Sequence, residues 1–309
     1  MHWLLSVPDT FSLREVVRRS GWLLYPPFRS QAVGDRLLRV EHLAEHTTVD
    51  LAIYQAPAGL VIQTEAHLSG AEVEEASHKA WHMLRLDENV QPFLRSARPH
   101  EALRSVRRMG ARLLRGASLY EHVIVSALVA WDSQGMPDFA HVAGLVDRLG
   151  VPLERNPTLH SFPTPDRLLA NAGDLDDVLG PDAAAHIDRI AHAFQGHHPR
   201  IRLLVRQPVT GAELAERLAA EFGLDAPAVG LLMLYLGRYD YIPTDEVALR
   251  RAAAYWPGAT PLAQELVTFF EQWHPWGGLA YWLWDWSQPQ AAGEPAKSAS
   301  SIPAGTPTS

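Results

Sequence analysis

Residues 223–252 read GLDAPAVGLLMLYLGRYDYIPTDEVALRRA. Gly223 supplies a tight turn, and the apolar run 227–236 that follows has the length and spacing of a buried helix. Gly237 closes that helix, and a short loop leads to Pro243 and Asp245. The next apolar-periodic segment, 245–255, opens at Asp245, where a carboxylate caps free backbone N–H groups. An aspartate two residues after a proline at a helix start is either such a cap or a carboxylate presented to a site, and local spacing leaves both open.

Outward from this stretch the chain is helix after helix. Apolar residues recur at three-to-four spacing over 100–109, 119–130, 137–149, 165–171, 182–194, 211–221, 260–272 and 276–286, with Pro or Gly at the joins. Ahead of them, from Phe11 to about His67, the pattern is short and strand-like. RLLRVEHLA (36–44), TVDLAIYQA (48–56) and GLVIQTEAHL (59–68) are separated by tight links, which predicts an antiparallel sheet. Ser69 and Glu72 stand in capping-box spacing before a helix running to about Leu86. The final SQPQAAGEPAKSASSIPAGTPTS has the composition of a disordered tail. The expected fold class is mostly α with a small α+β unit in front: antiparallel sheet plus helix over 1–99, a helical body over 100–286, and a tail over 287–309.

Composition excludes several chemistries. The 309 residues are 47% hydrophobic and 20% charged, enough to bury a core. With no cysteine, disulfides, zinc–thiolate sites, thiol nucleophiles and cysteine-ligated clusters are ruled out. The fifteen histidines, including His42, His46, His197 and His198, show no metal-binding spacing, and no phosphate-binding glycine loop occurs, so neither metal nor cofactor is expected. The opening MHWLLSVPDT lacks the form of a secretory signal, and no 18-residue apolar run occurs; a cytoplasmic protein with no membrane span is expected. Net charge is −8, which argues against a broad nucleic-acid-binding face. Of 27 basic residues only Lys79 and Lys297 are lysines, so 25 are arginines. Arg104, Arg107, Arg108, Arg112 and Arg115 form a local basic run, read either as a solvated face or as a stripe for a DNA backbone.

The hairpin and its following loop resemble those of the helix–hairpin–helix DNA glycosylase superfamily. LGRYDYIPTD (236–245) matches that family's helix end and aspartate-bearing loop. The likeness recurs in order along the chain. GARLLRGASLYEHVIVSALV (110–129) resembles the opening of the family's helical body. SFPTPDRLLANAGDLDDVLG (161–180) with HIDRIAHAF (186–194) resembles a later helix pair, and WHPWGGLAYWLWDW (273–286) the closing helix. FSLREVVRRSGWLLYPPF (11–28) and the strands after it are similar to the front of the 3-methyladenine DNA glycosylase II branch.

The resemblance implies an enzyme that flips a damaged base out of double-stranded DNA and hydrolyses its N-glycosidic bond, most like a 3-methyladenine-type excision of alkylated purines, in a bacterial, nucleoid-associated monomer. Asp245 takes the place of the essential carboxylate. Trp22, Phe28 and Trp284 fall at base-pocket positions, and aromatic rings suit an electron-poor alkylated purine. Gly223, Leu224, Asp225, Ala226 and Pro227 form the DNA-backbone hairpin; Trp131 and Asp132, in AWDSQG (130–135), occupy the turn whose side chain fills the gap left by the flipped base. Pro227 stands where lyase members carry a lysine, so strand cleavage through an imine is not expected. Asp225 departs from the family, placing a carboxylate where a glycine approaches phosphate. That departure keeps open a catalytically weak DNA-binding protein; an unrelated helical interaction protein is the third reading.

Overall fold

The computed structural model of the chain describes residues 1–31, 36–44, 46–195, 199–256 and 260–287. Strands β1 (His2–Leu5), β2 (Phe28–Gln31), β3 (Arg36–His42), β4 (Thr48–Ala56) and β5 (Gly59–Gln63) form one antiparallel sheet in the order β1-β5-β4-β3-β2. Its register is set by pairs such as Leu37 with Ile53 and Leu5 with Leu60. Alternation along β4 buries Val49, Leu51 and Ile53 against one side of the sheet. Helix α1 (Leu13–Arg19) and helix α2 (Gly70–Met83) cover that side; α2 contributes Ala76, Ala80 and Met83 to the same core. Both halves of the capping box between Ser69 and Glu72 are formed, as their spacing predicts.

The segment from Phe11 departs from its strand-like reading. Ser12 caps α1 by accepting a hydrogen bond from Glu15 N, and Leu13, Val16 and Arg19 recur at helical spacing on the buried side. The S-x-x-E signature at 12–15 is a helix start, and it outweighs the β-branched Val16–Val17 pair.

The body is built from α3 (Gln91–Ala97), α4 (Arg104–Met109), α5 (Leu119–Leu128), the short strands β6 (Ala130–Trp131) and β7 (Pro137–Asp138), and α6 (Ala140–Leu149). A small hairpin, β8 (Pro152–Leu153) and β9 (Asn156–His160), leads to α7 (Pro165–Ala170), α8 (Ala172–Leu179), α9 (Pro181–Phe194) and α10 (Pro199–Val205). The chain closes with α11 (Gly211–Phe222), α12 (Ala226–Leu236), α13 (Glu246–Tyr255), α14 (Ala263–Glu271) and α15 (Gly277–Leu283). Helix α12 lies at the centre, with every residue from Pro227 to Tyr235 buried. Among the described residues no single helix is long and apolar enough to cross a membrane.

Two differences from the sequence reading bear on the site. The last helix ends at Leu283, and Trp284 is already extended, so Trp282 and Trp286 do not share a helical face. The strand read to residue 68 ends at Gln63. His197, His198, Lys297 and the tail from residue 288 lie outside the described residues.

Buried ions join the sheet to the body. Arg39, fully buried on β3, donates to Glu121 of α5 at 2.7 Å and also reaches Glu41. Tyr25 Oη donates to the other Glu121 oxygen at 2.8 Å. Lys79 donates to Glu41 and to the His42 carbonyl. Truncating one partner of such a network leaves an uncompensated buried charge, at a cost of about 3–5 kcal/mol.

Candidate active site

Helices α11 and α12 meet at 117° across a turn of three residues, Gly223, Leu224 and Asp225. Gly223 adopts φ 65°, a left-handed conformation that glycine enters without penalty. Leu224 is buried beneath the turn and Asp225 is exposed. The Asp225 carboxylate turns back to accept from Ala228 N at 2.9 Å, capping α12. Ala226 opens the helix, and Pro227 at its start removes one N–H donor.

At the other end of α12 the chain turns at Gly237 and runs through Pro243 to Asp245. Asp245 is the N-cap of α13: Oδ1 accepts from Val247 N at 2.8 Å and from Ala248 N at 3.0 Å. Its Oδ2 lies over α12, 3.7 Å from where a Cβ on Gly230 would stand. Burial raises its pKa above the ordinary aspartate value, and the two N–H bonds partly oppose that shift. The cap reading is thus formed, with one oxygen fixed by its own helix and the other carried toward α12. Tyr241 and Tyr281 face the same charge; burial, then the Asp245 carboxylate, pushes the Tyr241 hydroxyl up to about 12. Tyr281 is also pushed up to about 12 by burial and Asp245, while Arg251 pulls it down. Tyr281 therefore sits in the field of both groups.

Arg251 is six residues beyond Asp245 on α13, roughly 9 Å along the axis. Only 9% exposed, it donates to the Gly135 carbonyl and packs 5.5 Å from the Trp282 ring centre and 6.0 Å from those of Trp131 and Tyr281. Trp282 stacks on Trp22 at 5.6 Å and on Trp131 at 6.1 Å. Beside this stack opens a cleft of about 520 Å³, whose walls include Trp22, Gln134, Met136, Arg251, Trp282 and Trp284. A base held between two rings needs their centres roughly 7 Å apart. Trp22 and Trp282 are already in contact, so no flat ring fits between them.

Of the residues predicted to form the pocket, the structure brings together Trp22 and Trp284. Phe28 is elsewhere: its ring lies under the Arg39 guanidinium at 4.2 Å and packs edge-on to Tyr25 in the sheet-side core, because β2 points it inward. Trp131 does not project from its turn as a wedge, since its ring is engaged by Trp282 and Arg251. Asp132 organises the turn by accepting from Gln134 N and Met136 N, both at 2.8 Å. Asp132, Ser133, Gln134 and Met136 are the exposed residues of the turn. Arg112 and Arg115 are not a DNA stripe: Arg112 donates to the Arg85 and Glu88 carbonyls, and Arg115 to the His82 and Tyr235 carbonyls and to Asp87. Arg115 on Tyr235 O and Arg85 on Leu234 O satisfy carbonyls at the C-terminal end of α12. Arg104 is half-exposed and pairs with Glu101.

Sequence reasoning missed Arg251, Tyr281 and Trp282. A signal for Arg251 was present: it shares the 247, 248, 252, 255 periodicity that buries one face of α13, and an arginine on such a face needs a local reason. Among the described residues no group of three or more His, Asp or Glu side chains is placed to hold a metal ion.

No protein-family model matches the sequence, and no curated protein matches it. Solved structures do. A 3-methyladenine DNA glycosylase from Archaeoglobus fulgidus superposes with a TM-score of 0.67 at 19% identity, covering 91% of this chain and 96% of that one. The apo-form of the 8-oxoguanine glycosylase/lyase of Clostridium acetobutylicum gives 0.64 at 15% identity, over 92% of this chain and 97% of that one. The same enzyme in complex with double-stranded DNA containing cytosine opposite 8-oxoguanine also gives 0.64 at 15% identity, over 93% and 97%. The chain has the fold of the helix–hairpin–helix DNA glycosylases: a small antiparallel sheet followed by a helical body carrying the hairpin.

Proposed function

We propose that this protein is a DNA N-glycosylase that acts on double-stranded DNA as a monomer, takes a damaged base into the cleft beside Trp22 and Trp282, and hydrolyses its N-glycosidic bond with Asp245. The observation that carries the reading is the placing of Asp245, half-buried at the helix start after the hairpin, with one oxygen held by backbone N–H groups. In the reaction the C1′–N bond breaks, and its electron pair leaves with the base nitrogen. Positive charge develops on the sugar, where a fixed carboxylate stabilises it. Water oxygen then bonds to C1′, one water proton passes to Asp245, and an abasic site remains. The aromatic lining supports a flat, π-rich base; alkylated purines of the 3-methyladenine type are one class of these, and the charge inside the cleft decides among the classes.

Hydrolysis by water, with no imine step, is supported by the hairpin and by the partners of Lys79. Pro227 occupies the hairpin position, and Lys79 is held by Glu41, Glu75 and the His42 carbonyl in the sheet-side unit. The test is incubation with duplexes carrying alkylated, deaminated or oxidised bases, followed by chromatography for free base and by borohydride trapping. Released base with alkali-labile sites and no trapped protein–DNA adduct is expected. Binding to every duplex without release of any base contradicts the enzyme and leaves the DNA-binding reading; a trapped adduct contradicts the water mechanism.

A further inference from the structure

We infer that Arg251 makes the cleft selective for neutral bases that carry a carbonyl oxygen, over cationic alkylated bases. The inference rests on the glycosylase reading above and narrows its substrate. A cationic base is attracted by open aromatic faces, yet here Trp131, Tyr281 and Trp282 already hold a buried guanidinium within 6.0 Å of their ring centres. A guanidinium group brings a full positive charge and only donors. A second cation in the same cleft meets repulsion strengthened by the low-dielectric surroundings.

The other charges on the wall do not reverse this. Asp285 accepts from Ser287 N and Oγ and faces Arg104 at 3.9 Å, while Arg250 adds a further positive charge. Arg251 also has donors to offer. The Gly135 carbonyl and the Tyr281 hydroxyl account for two of its five N–H groups.

The chemistry of departure points the same way. A cationic base leaves as a neutral molecule once the C1′–N pair moves onto it, and needs no further stabilisation. A neutral oxo-base takes the same pair and leaves as an anion, with charge delocalised onto its carbonyl oxygen. A fixed guanidinium donating to that oxygen stabilises the anion as it forms, and water protonates the base after release.

The test compares wild type with Arg251→Met on three duplexes: hypoxanthine (neutral, carbonyl), 1,N6-ethenoadenine (neutral, no carbonyl) and N7-methylguanine (cationic, carbonyl). Wild type is expected to release hypoxanthine fastest. Arg251→Met should slow that release roughly 10- to 100-fold, the worth of a hydrogen bond to a charged donor, and leave N7-methylguanine unchanged or faster. Equal loss on all three duplexes, or wild-type preference for N7-methylguanine, overturns the inference. Quenching of tryptophan fluorescence by inosine and by cationic 1-methyladenosine reads the cleft without excision. Arg251-dependent preference for inosine in a protein that releases no base upholds the cleft's selectivity and sinks the glycosylase reading. Equal binding of the two nucleosides overturns the selectivity whatever the excision result.

Discussion

Asp225 shows how one residue changes what a hairpin offers to DNA. Its carboxylate caps α12 through Ala228 N, so the helix end that would otherwise present bare N–H groups to a phosphate carries a negative charge instead. Asparagine keeps the cap and removes the charge. Asp225→Asn is expected to tighten binding to a duplex with an abasic-site analogue about five-fold at low salt, the effect of roughly 1 kcal/mol between unit charges a few ångströms apart in water. The gain should fade as salt rises. Fluorescence anisotropy at two ionic strengths measures it, and unchanged or weaker affinity at low salt would contradict this account of the hairpin.

Among the elements, α15 fixes the loop that carries Asp245. Gly278 N donates to the Tyr239 carbonyl at 2.7 Å, and a Cβ on Gly278 would stand 2.1 Å from the Tyr241 carbonyl oxygen. Gly278→Ala must therefore push the loop 239–245 off the helix. We expect a loss of about 1–3 kcal/mol in urea unfolding, typical of overpacking, together with slower base release. Unaltered stability would mean that this backbone contact is not tight in solution. The hairpin, the helix start at Asp245 and the β3–β4–β5 meander were legible in the sequence because each is written in local signals: glycine turns, capping spacing and alternation. Phe28 and Trp131 were not, since an aromatic residue reads alike whether it lines a cleft or packs beneath an arginine. Arg112 and Arg115 misled for a related reason. A basic run gives no sign of carbonyl partners, and those partners come from the end of α2, the segment after it and α12, which the fold brings near.

For the molecule as a whole, a net charge of −8 opposes a broad nucleic-acid-binding face, and on the proposed reading contact with DNA is expected to be local to the hairpin and the 132–136 turn. The buried Arg39–Glu121–Tyr25 network holds the sheet against the body, and Trp22, just ahead of Tyr25, reaches the cleft on that support. On the proposed reading, binding and catalysis are separable at Asp245. Asp245→Asn retains the cap and nearly the same volume but removes the charge that would face an oxocarbenium ion. The most direct measurement is single-turnover base release by wild type and Asp245→Asn side by side, with affinity for the same duplex measured in parallel. We predict release slowed by about 10²- to 10⁴-fold with affinity and fold retained. Comparable release by the two proteins would remove Asp245 from the chemistry and contradict the account.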